Sequence, residues 1–187
     1  YPRINTIVLS VLGFVWLTLL FWTDELIKTK IFGLTFFGAE FFDSLLIVPW
    51  IGLSYFFYGF YLLQTPGIFL KNRPKYAAWT RFFGAVINIG LCFILIPIYG
   101  EMGAAYSTCI AFALMALLMY CINRYLIEIK LEVRNLTIIF LLLIFSYIAF
   151  IIYDDSSIVN LTIMCFYVFI VFYYKLINMK NLHKIFT

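Results

Sequence analysis

Six long apolar stretches constrain this chain more than any other feature. Each is long enough, at a rise of about 1.5 Å per residue, to cross the roughly 30 Å hydrocarbon core of a bilayer. The predicted helices span residues 4–22, 42–70, 76–98, 102–123, 133–153 and 158–176. The 187 residues are 65% hydrophobic and only 12% charged, whereas soluble domains carry about 25% charged residues. The sequence therefore predicts an all-α fold, a polytopic bundle of six transmembrane helices.

The basic residues between these stretches predict how the bundle is oriented. If the six stretches all cross the membrane, 11 of the 13 lysine and arginine residues lie on the side of the N-terminus. Only Lys28 and Lys30 lie on the opposite side. Because loops rich in lysine and arginine stay in the cytoplasm, the sequence predicts a multi-pass protein of the cell inner membrane with both termini cytoplasmic.

The residue patterns of soluble enzymes are missing from the sequence. The four cysteines lie inside apolar stretches without metal-ligand spacing, and the one histidine, His183, is close to the C-terminal end. The sequence has no glycine-rich phosphate loop, no paired catalytic carboxylates and no nucleophile–base pair. The net charge of +4 reflects the cytoplasmic loops rather than a nucleic-acid surface. We therefore expect no catalytic activity, no metal, no cofactor and no nucleic-acid partner.

The second stretch, residues 42–70, is rich in prolines and tyrosines. Pro49 lacks a backbone donor, so it predicts a kink in this helix. Tyr55, Tyr58 and Tyr61 recur at intervals of three residues. They would either line one strip of a cavity or pack between helices as aromatic residues commonly do.

The junction of the third and fourth stretches contains the most distinctive pattern. Asn88 lies in an apolar helix, and the chain continues as Ile96-Pro97-Ile98-Tyr99-Gly100-Glu101-Met102-Gly103-Ala104-Ala105. Pro97 is predicted to end the third helix, and Tyr99-Gly100 to form a tight exit turn. The small Gly103 and Ala104 let the fourth helix approach a neighbour closely. The pattern predicts a compact, rigid helical hairpin.

This junction resembles the repeat signature of polysaccharide and O-antigen flippases. These proteins belong to the multidrug/oligosaccharidyl-lipid/polysaccharide superfamily, which also contains the drug/cation antiporters called MATE and the lipid II flippases. Phe37-Gly38-Ala39-Glu40-Phe41 and Lys71-Asn72-Arg73-Pro74-Lys75 also resemble the family, and the similarity covers roughly residues 10–130. The resemblance implies that residues 1–130 form four helices of the second six-helix transport bundle. Residues 131–187 would add two helices and a short cytoplasmic tail. The first bundle would precede Tyr1, so we expect that this chain alone does not transport.

The function implied by the resemblance is flipping of undecaprenyl-pyrophosphate-linked oligosaccharide repeat units for the synthesis of surface polysaccharide, such as the O-antigen of lipopolysaccharide. The implied partners are this lipid-linked oligosaccharide, membrane lipids, polysaccharide polymerase and glycosyltransferases. Three alternatives remain. A cation-coupled antiporter of the MATE type favours an acid deep in a helix, a glycosyltransferase needs catalytic acids on an extended loop, and a membrane subunit need not transport at all.

A lipid-linked pyrophosphate requires cations and hydrogen-bond donors inside the transport bundle. Arg81 and Asn88 are seven residues apart, so they share a helix face, and Gly84 leaves room beside them. Arg81 would contact the pyrophosphate or extend to the cytoplasmic headgroups, and Asn88 would contact substrate or bond a neighbouring helix. Gln64 and Tyr58 in the second stretch are further candidates for substrate binding.

Glu40 and Asp43 flank the outer end of the second stretch. They are candidate sites for a coupling ion if transport is driven by protons or sodium. Alternatively, they are solvated or stabilise a helix N-terminus, where the helix dipole favours negative charge.

Overall fold

Six helices and one short strand pair make up the protein in this computed structural model, which describes residues 2–28, 30–31, 34–35, 46–126, 133–153 and 157–173. The helices are α1 (Pro2–Lys28), α2 (Val48–Leu70), α3 (Lys75–Tyr99), α4 (Glu101–Leu126), α5 (Val133–Tyr153) and α6 (Ser157–Tyr173). The strands β1 (Lys30–Ile31) and β2 (Leu34–Thr35) pair antiparallel, with Lys30 opposite Thr35. The predicted all-α fold with six helices is confirmed.

Four of these helices are long and apolar enough to cross a membrane. They comprise Ile4–Glu25 of α1, all of α3 and α4, and Arg134–Ile152 of α5. The apolar part of α6, Ile158–Tyr173, is shorter. Helix α2, which contains Pro49, Pro66 and Gln64, is not among these four.

Two proline predictions are wrong. Helix α2 begins at Val48, so Pro49 lies in its first turn, where a missing backbone donor costs nothing and no kink is needed. Helix α3 continues through Pro97 to Tyr99 and is capped at Gly100, whose N–H donates to the Ile96 carbonyl at 2.8 Å. Gly100 has a φ of 59°, a conformation that favours glycine and reverses the chain into α4.

Residues 22–129 form one compact unit, in which α4 packs against both α2 and α3. Glu101 in the first turn of α4 and Arg124 in its last turn both suit the helix dipole. The apolar core comprises Tyr61, Ile68, Ala77, Met115, Ala116 and Met119. Helices α2 and α3 meet at the turn of residues 71–74, where the Arg73 N–H donates to the Ile68 carbonyl at 3.2 Å.

Residues 1–21 and 130–187 form the second compact unit. The buried Tyr167 hydroxyl of α6 donates to the Ser10 carbonyl of α1 at 2.9 Å. Trp16 of α1 lies near Tyr147 of α5, with ring centroids 6.3 Å apart. The first part of α1 is thus grouped with α5 and α6. The predicted division of the chain after residue 130 stays a prediction.

Candidate functional site

The hairpin of α3 and α4 is built on a very close approach between the two backbones. A Cβ atom added at Gly103 would lie 2.8 Å from the Ile96 nitrogen and closer still to the Leu95 carbonyl. Real Cβ atoms do not approach backbone atoms this closely, so the position requires glycine. The structure therefore places Gly103 in the hairpin contact itself, beside the Ala104 carbonyl that accepts from Ser107 and Thr108 at 2.9 Å.

Polar side chains connect the two helices deeper in the hairpin. The Asn88 Nδ2 group donates to Thr108 Oγ1 at 3.3 Å. Cys92 Sγ lies 2.9 Å from Ser107 Oγ and also donates to Asn88 Oδ1 at 3.5 Å. Asn88 thus bonds a neighbouring helix, as one of its two sequence interpretations expects, while one edge of its side chain also reaches a groove.

An open groove of about 600 Å³ runs beside α4. Phe112 and Met115 of α4 form its floor, and Tyr55 and Tyr58 of α2 form one wall. The other wall belongs to α3 and consists of Arg81, Gly84, Ala85, Asn88 and Ile89. Three of the predicted substrate-binding residues, Tyr58, Arg81 and Asn88, therefore meet in one concave surface.

Small residues on α3 create the space for this groove. Gly84 is buried, and a Cβ atom there would lie 3.0 Å from the Met115 sulfur. Since Arg81, Gly84, Ala85 and Asn88 are spaced at three, four and seven residues, they line one edge of the helix. Arg81 and Asn88 are the polar side chains on that edge, and Gly84 between them adds no side chain.

Arg81 is fixed by a hydrogen bond to α2. Its Nε group donates to the Tyr61 hydroxyl at 3.0 Å, and its guanidinium carbon lies 5.7 Å from the centre of the Tyr61 ring. The Tyr61 hydroxyl in turn donates to the Ala77 carbonyl of α3 at 3.3 Å. Arg81 itself is exposed to the groove, so its charge is held in place but accessible.

The groove carries positive charge. Arg81 is the charged residue in its lining. Among the described residues no carboxylate pairs with Arg81, whose only described polar partner is Tyr61. The other residues that line the groove carry phenol groups (Tyr55 and Tyr58), an amide group (Asn88) or apolar side chains. An unpaired cation in such surroundings favours an anionic group as its ligand.

The aromatic wall of the groove is continuous with its floor. The Tyr58 and Phe112 ring centroids are 5.0 Å apart, and those of Tyr55 and Phe112 are 6.4 Å apart in an edge-to-face arrangement. Tyr55 is 61% exposed, so its ring face is available to a ligand. Aromatic rings with a polar hydroxyl suit flat, partly polar ligands such as sugar rings.

Gln64 lies outside the groove. It is buried between α2 and α4, where its Nε2 group donates to the Ala116 carbonyl at 3.3 Å and the Phe60 carbonyl at 3.1 Å. Asn123 of α4 donates to the Gln64 backbone carbonyl at 3.0 Å. Within the described part of the chain, Gln64 Oε1 and Asn123 Oδ1 are buried without a hydrogen-bond partner. The structure therefore gives Gln64 the role of a contact between helices.

The candidate ion-coupling residues Glu40 and Asp43 lie outside the described residues. No group of three or more histidine, cysteine, aspartate and glutamate residues that would suit a metal ion occurs among the described residues. The ion-coupling role of Glu40 and Asp43 therefore stays a prediction.

Sequence reasoning overlooked Tyr61 as a partner of Arg81 and Phe112 and Met115 as the groove floor. Each step of three residues along a helix rotates the side chain by about 60°. Tyr55, Tyr58 and Tyr61 therefore turn progressively from the open groove into the buried contact with α3. The spacing of three residues could have indicated this change of direction, because residues at that interval follow a line that winds around the helix and do not stay on one face.

Comparison with protein-family models, characterised proteins and solved structures finds no match to this chain.

Proposed function

We propose that the groove binds the anionic headgroup of a lipid-linked oligosaccharide, and that the protein is part of a flippase that moves this lipid across the cytoplasmic membrane. The single observation that supports the proposal most directly is Arg81, a cation with no described carboxylate partner, held by Tyr61 at the edge of the groove. A pyrophosphate group offers oxygens to which a guanidinium donates parallel hydrogen bonds.

The depth of the groove in the membrane supports a lipid-linked substrate. Arg81 lies six residues into α3 and Ile89 fourteen residues in, so the groove spans depths of roughly 9 to 21 Å along the helix. Such depths lie within the hydrocarbon region if α3 crosses the bilayer from its end. A charged group at this depth is costly unless its side chain extends to the headgroups or it serves a polar pathway.

The surfaces on either side of Arg81 match the other parts of such a substrate. The tyrosine wall formed by Tyr55 and Tyr58 suits the sugar residues. The neighbouring face of α3 is apolar and exposed, with Phe82 at 57% and Phe93 at 78%, and it suits a polyprenyl chain that stays in the lipid. A headgroup would thus enter the groove sideways while the chain remains outside.

The antiporter alternative is less well supported by this groove. A cationic drug requires negative or neutral surroundings, whereas the charge in the described lining is that of Arg81. The orientation remains part of the proposal: we place both termini and the turn between α2 and α3 in the cytoplasm of the inner membrane, which puts Arg81 toward the side where lipid-linked units are loaded.

The test is complementation of surface polysaccharide in a strain that lacks the gene for this protein. Arg81→Ala and Arg81→Glu should lose most of the flipping activity at normal membrane abundance, and Arg81→Lys should keep part of it. Arg73→Ala is the matched control, because it removes the same charge from the exposed turn outside the groove. If Arg81→Ala complements as well as wild type, Arg81 serves membrane orientation and the proposed function is wrong.

A further inference from the structure

Tyr61 is a buried residue whose hydroxyl is bonded on both sides. Its side chain has 0% exposure, and its ring stacks on Tyr58 with centroids 6.0 Å apart. The hydroxyl donates to the Ala77 carbonyl and accepts from Arg81 Nε. Since a phenol has one proton to donate, the bond to Ala77 fixes the direction of that proton, and the oxygen faces Arg81 as an acceptor.

This arrangement determines which donors of Arg81 face a ligand. A guanidinium carries five N–H donors, one on Nε and four on the two terminal nitrogens. The Nε donor is occupied by Tyr61, and none of the described residues accepts from the terminal nitrogens. Arg81 therefore presents its end, with two parallel terminal nitrogens, rather than its side.

We infer that Tyr61 is a positioning residue that holds Arg81 end-on, so that the groove recognises the paired oxygens of a phosphate or pyrophosphate group. The inference rests on the proposed function, because it assumes that an anionic headgroup enters this groove. Tyr61 does not contact the ligand, and it acts by restricting the rotamers of Arg81 before binding. Ordering one long side chain in advance favours binding by about two- to twelvefold.

The experiment measures binding of farnesyl pyrophosphate to the purified protein in detergent. Tyr61→Phe keeps the buried ring and removes only the hydroxyl, so it should weaken binding by about two- to twelvefold. Tyr167→Phe is the matched control, because it removes an equally buried hydroxyl that donates to the Ser10 carbonyl in the other unit. We expect Tyr167→Phe to bind as wild type does.

A double-mutant cycle separates positioning from a general effect on structure. Tyr61→Phe should have no further effect on binding in the Arg81→Ala background. A loss of the same size in the wild-type and Arg81→Ala backgrounds would overturn the positioning role. If Tyr61→Phe fails to accumulate, the same cycle is measured with Tyr61→Met, which also removes the hydroxyl.

Two further ligands identify the source of the recognised group. Inorganic pyrophosphate should bind more weakly than farnesyl pyrophosphate but with the same dependence on Tyr61, and farnesol should not depend on Tyr61. If Arg81→Ala weakens binding and Tyr61→Phe does not, the positioning role is overturned while the proposed function stands. If neither variant changes binding of either pyrophosphate, the proposed headgroup site fails as well.

Discussion

Gly103 of α4 lies against the backbone of Leu95 in α3, with no space for a Cβ atom between them. This contact lies one turn beyond the cap at Gly100, so the chain reverses and packs on itself within a few residues. The lack of a side chain at Gly103 therefore allows α3 and α4 to pack closely at this point. The polar contacts between Asn88 and Thr108 then extend the same pairing inward.

Replacing Gly103 should destabilise this hairpin. Gly103→Leu should reduce the membrane abundance or activity of the protein, because overpacking costs about 1–3 kcal/mol. Gly103→Ala should also be destabilising, since even its Cβ atom meets the Leu95 backbone.

Gly90→Ala provides the matched control for the hairpin, because nothing lies within 4 Å of a Cβ atom at that position. It should be neutral or slightly stabilising, since alanine is favoured over glycine in helices by about 1 kcal/mol. The measurement is abundance and thermal unfolding in detergent. A normally abundant and fully active Gly103→Leu protein would show that this position faces lipid.

The proposed topology predicts opposite labelling of the segment around Asp154 and of the C-terminal tail around His183. In a variant with its four cysteines replaced by alanine, a cysteine at Asp154 should react with a membrane-impermeant maleimide from outside the cell. A cysteine that replaces His183 should react only after the membrane is permeabilised. A cysteine that replaces Arg73 serves as the cytoplasmic control. Labelling of position 154 from the cytoplasmic side would contradict the model of six spans with both termini inside.

The sequence predicted the helices well because each one is rich in apolar residues, and it placed Arg81, Gly84 and Asn88 on one edge of α3 by their spacing. It could not predict that α1 packs with α6 through Ser10 and Tyr167. Within lipid every helix is apolar, so hydrophobicity does not identify a helix's neighbour, and packing of small and polar groups decides. Gln64 lies nine residues from Tyr55, about 180° around α2, and so outside the groove, and its role in substrate binding stays a prediction.

Gln64 should matter for packing rather than for substrate. Gln64→Met keeps the volume of the side chain, loses its donation to Ala116 and also removes the unpartnered Oε1 atom. Hydrogen bonds between membrane helices contribute about 0.6 kcal/mol on average, so stability should change little. Complementation should stay close to wild type. Loss of flipping at normal abundance would show that Gln64 contacts the substrate after all.

The volume of the groove can be tested without touching its polar groups. Gly84 lies in the wall beside Arg81, and an added Cβ atom would lie 3.0 Å from the flexible end of Met115. Gly84→Ala should therefore be tolerated, because the Met115 side chain can shift. Gly84→Leu should fill the space between Arg81 and Met115 and abolish most flipping.

Gly90→Leu is the matched control for this test, because it adds the same side chain to the same helix at an exposed position with open space. We expect it to complement as wild type does, since added bulk there meets no neighbour. The measurement is surface polysaccharide together with membrane abundance for both leucine variants. If Gly84→Leu is abundant and flips normally, the substrate does not pass through this groove, because a side chain of that size would block the space that the headgroup requires.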